Sequence, residues 1–259
     1  SGAGKSSLIE AAMFYTKEID KYGKNQDGTT TLNYDAEEGK RGLSVYCHVA
    51  PVLWKEMKIN FIDTPGYLDY QGEEATGLRV GDNALIVVDA KESLKSGTIR
   101  AWKEAALKQQ LPTIFFINKL DDDQADFQTR YEELREKFGK SVILFERPII
   151  ENRKVLGSVN ILRKKAWYYD RPNKPEPIPD QLKDEVEAYY NEISEAIAMG
   201  DDELMEKFFS GEAFDEHELA KGLRLGVRSG EIRPVYCGSA DQQTGIERLL
   251  DLIHEYFPS

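Results

Sequence analysis

Cysteine is nearly absent. Cys47 and Cys237 are the two in 259 residues, too few for a disulfide scaffold, so a reducing compartment is the default. Histidine is as scarce, and His48, His217 and His254 stand too far apart in the chain to form a metal cluster. His48 adjoins Cys47 in an expected strand, where neighbouring side chains face opposite ways. No apolar run reaches the roughly 18 residues of a membrane span. No basic region followed by an apolar stretch opens the chain as a secretory leader would. Basic residues are in deficit, 34 against 46 acidic, for a net charge of -12. That disfavours non-specific coating of nucleic acid, which relies on Lys and Arg displacing counterions. It leaves room for docking on an RNA-protein particle through a local patch. There is no internal repeat and no coiled-coil heptad.

What is present is enough apolar material, 41%, for a packed core rather than a disordered chain. The length corresponds to roughly 1.7 average domains, hence one large domain or a domain with an insertion. The apolar spacing predicts a helix over 7–22, with Leu8, Ala11, Ala12 and Tyr15 on one face. A polar stretch without periodicity follows over 23–42; loops this long in compact domains are usually functional. Strands are expected at 44–54 and 57–62, joined by a turn at Lys55 and Glu56. A helix is expected over 72–80. Continuous apolar strands at 84–89 and 113–117 read as covered on both faces, as in a parallel sheet, and alternate with helices over 98–109 and 125–138. This alternation argues for a doubly wound α/β layer.

The pattern changes after about residue 140. A strand over 142–145 and two short antiparallel strands within 154–169 are followed by a connector, 170–179, with four prolines in ten positions. Helices are expected over 181–199, 202–209 and 216–227, the last capped by Asp215. The α/β pattern resumes with a strand at 233–237 and a helix over 245–256. The division is therefore 1–147, an inserted subdomain 148–231, and 232–259. The acidic run 180–195 reads as a surface helix, and Trp102 and Trp167 as packing residues.

Five short segments carry the chemistry. The chain opens Ser1-Gly2-Ala3-Gly4-Lys5-Ser6-Ser7, which supplies the end of the phosphate-loop pattern G-x-x-x-x-G-K-[ST] ahead of a helix. The first glycine and the preceding strand are missing, so the chain is expected to begin inside its domain. Successive backbone N–H groups and a helix N-terminus surround a polyphosphate. Lys5 adds a point charge, and the Ser6 hydroxyl is a hard oxygen ligand for Mg²⁺. Asp63 follows an apolar run and precedes Thr64-Pro65-Gly66. Its carboxylate can hold a metal-bound water, and the Gly66 N–H can meet a γ-phosphate.

Asn118-Lys119-Leu120-Asp121 follows the strand ending at Ile117. The two acceptor oxygens of Asp121 match the adjacent donors of guanine, which adenine lacks. Asn118 can bind the purine edge and tie loops together, and the Lys119 stem can lie on the base. Cys237-Gly238-Ser239-Ala240 takes the same place after the last strand. There Ala240 can offer an N–H to the 6-oxo group and Ser239 can brace the Asp121 loop. In the long polar stretch Arg41-Gly42-Leu43-Ser44 precedes a strand, and Ser44 is the candidate for closing over metal and γ-phosphate. Thr29, Thr30 and Thr31 are alternatives farther from that strand.

In this order the motifs resemble those of a translational GTPase, in particular the nucleotide domain of bacterial elongation factor G and its G-like paralogues. The resemblance covers essentially the whole chain. It implies a P-loop three-layer α/β/α G domain with an inserted α+β subdomain, GTP/GDP and Mg²⁺ as ligands, a cytoplasmic location, and the ribosome as partner of the full-length protein. No membrane or sequence-specific DNA partner is expected, and the fragment is expected to be monomeric. The stretch 27–35 and Tyr67 look most like the G-like paralogues. Tyr67 is the departure: elongation factors of this family usually place histidine after D-T-P-G to orient the attacking water. A phenol with a pKa near 10 cannot do the same proton chemistry at neutral pH. Hydrolysis is therefore expected to be slow in isolation, and no side chain reads as an arginine finger. Two other readings stand beside the hydrolysing switch: a module that holds GTP or GDP with little hydrolysis, and a regulatory fragment of poor nucleotide affinity.

Overall fold

The computed structural model describes residues 2–32, 35–41, 43–171 and 174–257. Ser1, Asn33, Tyr34 and Gly42, which carry expectations above, lie outside them.

Four parallel strands form the centre, in the order β3 (Ala84–Asp89), β4 (Thr113–Asn118), β9 (Arg233–Cys237) and β5 (Val142–Leu144). Every residue of β4 is buried, which is why it reads as an unbroken apolar run. β3 and β4 pair in register from Ala84↔Thr113 to Asp89↔Asn118, so both chains leave the sheet at the same level. In open α/β sheets that carboxyl edge is where ligands bind. Phe115 stacks with Phe138 of α5 (Phe127–Phe138) and with Trp102, ring centroids 5.4 and 5.8 Å away. Trp102 is thus a core residue. It closes α4 (Ser96–Trp102), which continues as a π-helical turn, Lys103–Lys108.

β1 (His48–Trp54) and β2 (Met57–Asp63) form an antiparallel hairpin. Its turn residues Lys55 and Glu56 take φ of 46° and 68°, the paired positive values that match the twist of a two-residue hairpin. The free edges of β2 and β3 face each other across a cleft of about 640 Å³ lined by Leu8, Ile59, Phe61, Ile86 and Val88. Helices α1 (Lys5–Tyr15) and α9 (Ile246–Tyr256) pack against each other.

Several sequence expectations are corrected. The first helix ends at Tyr15, not 22: Lys17 turns to φ 63°, and the Thr16 hydroxyl bonds back to the Ala12 carbonyl at 2.9 Å. Tyr15 itself is exposed. The polar stretch 23–42 holds a 3-10 turn, Asn25–Asp27, and a short helix, α2 (Ala36–Arg41). The strand expected from 44 begins at His48. A strand not anticipated, β6 (Glu146–Glu151), forms a second sheet with β7 (Lys154–Asn160) and β8 (Lys165–Tyr168) in the order β6-β7-β8.

Beyond that sheet lie α6 (Lys183–Ala198), α7 (Asp202–Ser210) and α8 (Glu216–Ser229). Asp215 caps α8 in a capping box, accepting from Glu218 N–H at 2.8 Å while the Glu218 side chain accepts from Asp215 N–H at 2.8 Å. Gly222 lets α8 approach α6: a Cβ there would lie 2.2 Å from Ile197.

Glu146 sits where the two sheets meet. It is 1% exposed, accepts from Asn160 Nδ2 at 2.7 Å, and leaves Oε2 without a partner. Burial pushes its carboxyl above the usual range, against the pull of Ser158 and Asn160. The folded state therefore holds this proton at pH values where the unfolded chain has lost it, so stability falls as pH rises across that window. Glu146→Gln removes the ionisation. Its urea midpoint is expected to match wild type near pH 4, to exceed it at pH 7 to 8, and to show a flatter pH profile. Parallel profiles for the two proteins would refute this.

Candidate functional site

At the carboxyl edge of the parallel sheet, loops from four parts of the chain converge. The run Gly2–Ser7 lies beside the ends of β3 and β4. Gly4 adopts φ 87°, and a Cβ on it would lie 2.4 Å from Asn118 Nδ2, so only glycine fits. The carbonyls of Ala3 and Gly2 turn towards the sheet, accepting from Asn118 Nδ2 at 2.9 Å and Lys119 Nζ at 2.7 Å. The first backbone bond of α1 runs from Leu8 N–H to the Gly4 carbonyl at 2.9 Å. The N–H groups of Ala3, Gly4, Lys5, Ser6 and Ser7 are left without acceptors among the described residues. Such a row of open amides at a helix start is an anion cradle.

Three oxygens meet beside it. Ser6 Oγ donates to Asp63 Oδ2 at 2.5 Å, and Ser44 Oγ lies 3.3 Å from both Ser6 Oγ and Asp63 Oδ2. Asp63 ends β2, is 1% exposed, and its Oδ1 is buried without a partner. Burial pushes its carboxyl above the usual range; Ser6, Lys5, Ser44 and His48 pull it down without overcoming that. A buried carboxylate with an orphan oxygen and two adjoining hydroxyls is a hard-oxygen set that fits Mg²⁺, which keeps several waters and takes few protein ligands. Among the described residues no three His, Cys, Asp or Glu side chains gather to hold a metal, so the hydroxyls are essential to this set.

Asn118, 1% exposed, links the loops: it donates to Ala3 and its Oδ1 accepts from Ala240 N–H at 2.9 Å. That bond occupies the Ala240 N–H that the sequence reading offered to the base. The Ser239 hydroxyl accepts from Gln242 N–H at 3.1 Å within its own loop. The tie to the Asp121 loop runs instead from Leu120 N–H to the Gly238 carbonyl at 3.2 Å. Asp121 is exposed at the rim. Lys119 also pairs with Asp89 at 2.7 Å, a residue the sequence reading passed over. Its signal was present: like Asp63, Asp89 is a lone carboxylate closing an apolar strand. Gly66 lines the cleft between β2 and β3. Tyr67 is 45% exposed, with extended backbone.

The family described as the Elongation factor Tu GTP binding domain matches residues 1–259. The chain belongs to that family. Elongation factor G of Ureaplasma parvum is 33% identical over 261 residues, and that of Mycoplasma genitalium 33% over 262. Each match covers 99% of this chain and 38% of the relative, so the chain spans about two fifths of the length of these relatives. A crystal structure of a protein from Thermus thermophilus superposes with a TM-score of 0.92 at 32% identity, over all of this chain and 39% of the other. The fold is accordingly that of an elongation factor G-type GTPase domain: mixed α/β around a parallel sheet.

Asp63→Asn removes the buried charge and keeps the shape. It is expected to raise the melting temperature in EDTA and to abolish the extra stabilisation that Mg²⁺ gives with guanine nucleotide. A variant that still gains as much from Mg²⁺ as wild type would remove Asp63 from the metal set.

Proposed function

We propose that this chain is the switch domain of an elongation factor G-like translation factor, binding GTP and GDP and hydrolysing GTP. The observation that carries the reading is Asn118: one buried side chain joins the anion cradle to the loop carrying Ala240, beside the loop carrying Asp121. A ligand with phosphates at one end and a purine at the other is what such a coupled pair of loops can span.

The chain's own residues divide the work. Amides of residues 2–7 and the Lys5 ammonium hold the phosphates and stabilise charge on the transferring group. Asp121 reads the guanine edge, and the Lys119 stem lies along the base. Ser6, Ser44 and Asp63 hold Mg²⁺, which when bound neutralises developing phosphate charge. Gly66 presents its N–H to the γ-phosphate. Loss of that phosphate removes contacts that keep Ser44 and Gly66 in place, which is the switch. Water is the nucleophile. Tyr67, exposed and phenolic, orients it less effectively than an imidazole.

The cleft between β2 and β3 supports the expectation of a missing first strand. Two free strand edges face it, apolar side chains line it, and it ends at Ala3 and Lys5. We take it to receive residues that precede Ser1 in the full-length protein, as a strand parallel to β3. The segment 148–231 serves as the inserted subdomain between 1–147 and 232–259, with β6 running across the first of these boundaries. In the full-length protein the partner is the ribosome and the setting cytoplasmic. The fragment is taken as monomeric, with no membrane or sequence-specific DNA partner.

Asp121→Asn replaces an acceptor with a donor. GDP affinity is expected to fall by about 1–3 kcal/mol and xanthosine diphosphate affinity to rise; equal loss for both would refute base reading by Asp121. Tyr67 favours a second reading, a nucleotide-holding module with scarcely any hydrolysis. Single-turnover GTP decay separates the two. The hydrolase reading expects a measurable rate for wild type that Tyr67→His raises about 10-fold or more, within the usual contribution of a positioned acid-base group. No decay in either protein, with or without ribosomes, would leave only the holding function.

A further inference from the structure

The long segment between α1 and β1 is pinned to the fold by two buried glutamates. Glu10, in α1 and fully buried, accepts from Gly23 N–H at 3.2 Å, Thr31 N–H at 3.0 Å and Thr31 Oγ at 3.0 Å. It fastens the first half of the segment to the helix behind the anion cradle. Glu38, in α2 and also fully buried, serves the second half. Its Oε1 accepts from Val45 N–H at 2.7 Å and Tyr46 N–H at 3.1 Å, and its Oε2 lies 2.7 Å from Nε2 of His48, itself 3% exposed.

These contacts frame Ser44. Glu38 closes a short loop on residues 45, 46 and 48, and Ser44 is the residue just before its first amide partner. His48 stands opposite Asp63 in the β1–β2 register, so the Glu38 anchor is attached to the strand pair that carries the metal carboxylate. On the other flank, Cys47 N–H donates to Glu73 of α3 (Gln71–Val80) at 3.1 Å. Ser44 thus reaches Ser6 and Asp63 with the three residues behind it each held through a backbone N–H by a carboxylate.

We propose that Glu38 is the positioning residue for Ser44: it sets the hydroxyl against Ser6 and Asp63, and Mg²⁺-dependent retention of nucleotide depends on it. This rests on the nucleotide reading above for the identity of the ligand, but the latch itself is a property of the loop. Carboxylates that orient a metal ligand from outside the coordination sphere typically change metal affinity by about 10- to 100-fold when removed.

The test compares wild type, Glu38→Ala and Glu38→Gln. Gln keeps an oxygen for the two amides, whereas Ala leaves Val45, Tyr46 and His48 without it. Hydrogen exchange without nucleotide is expected to show Val45 and Tyr46 amides exchanging about 10-fold faster in Glu38→Ala, the loss of one or two modest hydrogen bonds, and recovering most of their protection in Glu38→Gln. Titration of Mg²⁺ against release of a fluorescent GDP analogue is expected to shift its half-point about 10-fold or more upward in Glu38→Ala, with Glu38→Gln close to wild type. A melting temperature that falls equally in both variants while the Mg²⁺ half-point stays fixed would mark Glu38 as packing only and overturn the proposal. Unchanged exchange at Val45 and Tyr46 would also overturn it. A wild-type protein that takes up no guanine nucleotide would instead defeat the functional reading, and the exchange comparison would still decide the latch.

Discussion

The architecture at the carboxyl edge depends on one amide side chain. Asn118 is buried at the end of β4 and uses both ends of its carboxamide, Nδ2 to Ala3 and Oδ1 from Ala240. A buried amide that lost either partner would bear the cost of an unmet hydrogen bond, about 1–3 kcal/mol. The geometry is therefore mutually enforced. β4 delivers Asn118 to the edge, β9 delivers the Ala240 loop beside it, and Gly4 is admitted to within contact because it has no Cβ. Asp, the nearest isostere, would present oxygen to the Ala3 carbonyl and break the same link.

This explains which parts of the fold could be read from the sequence. β3, β4 and β9 were legible because both of their faces are covered, and a strand with no wet face needs no alternation. The motif loops at 118–121 and 238–240 were legible because each follows such a strand. β6 was not, and the reason is local. Pro148 lies in its middle and Glu146 and Glu151 at its ends, a composition that argues against a strand. It is tolerated because β6 is an edge strand, where a missing donor need not leave a gap in the ladder. The early end of α1 was hidden for a different reason. Residues 17–21 include good helix formers, and the helix stops because Lys17 turns left-handed, which propensity does not foresee.

The site shows the same division. Asp63 and Ser6 were found because they sit at a strand end and a helix start of recognisable type, and Ser44 because it closes the Arg41-Gly42-Leu43-Ser44 run ahead of a strand. Glu10 and Glu38 were missed. In an acidic chain, a glutamate in a helix or a polar stretch looks like a solvated side chain, and only the fold reveals that these two are fully buried. The helix α2 that carries Glu38 is six residues long, too short to persist by itself in water. Its existence follows from tertiary contacts made at Val45, Tyr46 and His48, none of which is near it in helical periodicity.

Charge also constrains how such a molecule can hold a polyphosphate. With a net charge of -12, the field of this chain repels an anion, so attraction must come from groups in contact with it. Most nearby cations are already committed: Lys119 to Asp89, Lys91 to Asp122 and Lys95 to Glu92. Among the described residues Lys5 has no such carboxylate partner, though it does act on Asp63 through space. The remaining favourable terms are the open amides of residues 3–7, which carry no counterion to displace, and, under the function proposed above, a divalent cation on the Ser6, Ser44 and Asp63 oxygens. Both act over a few ångströms, inside the Debye length of about 8 Å at physiological salt.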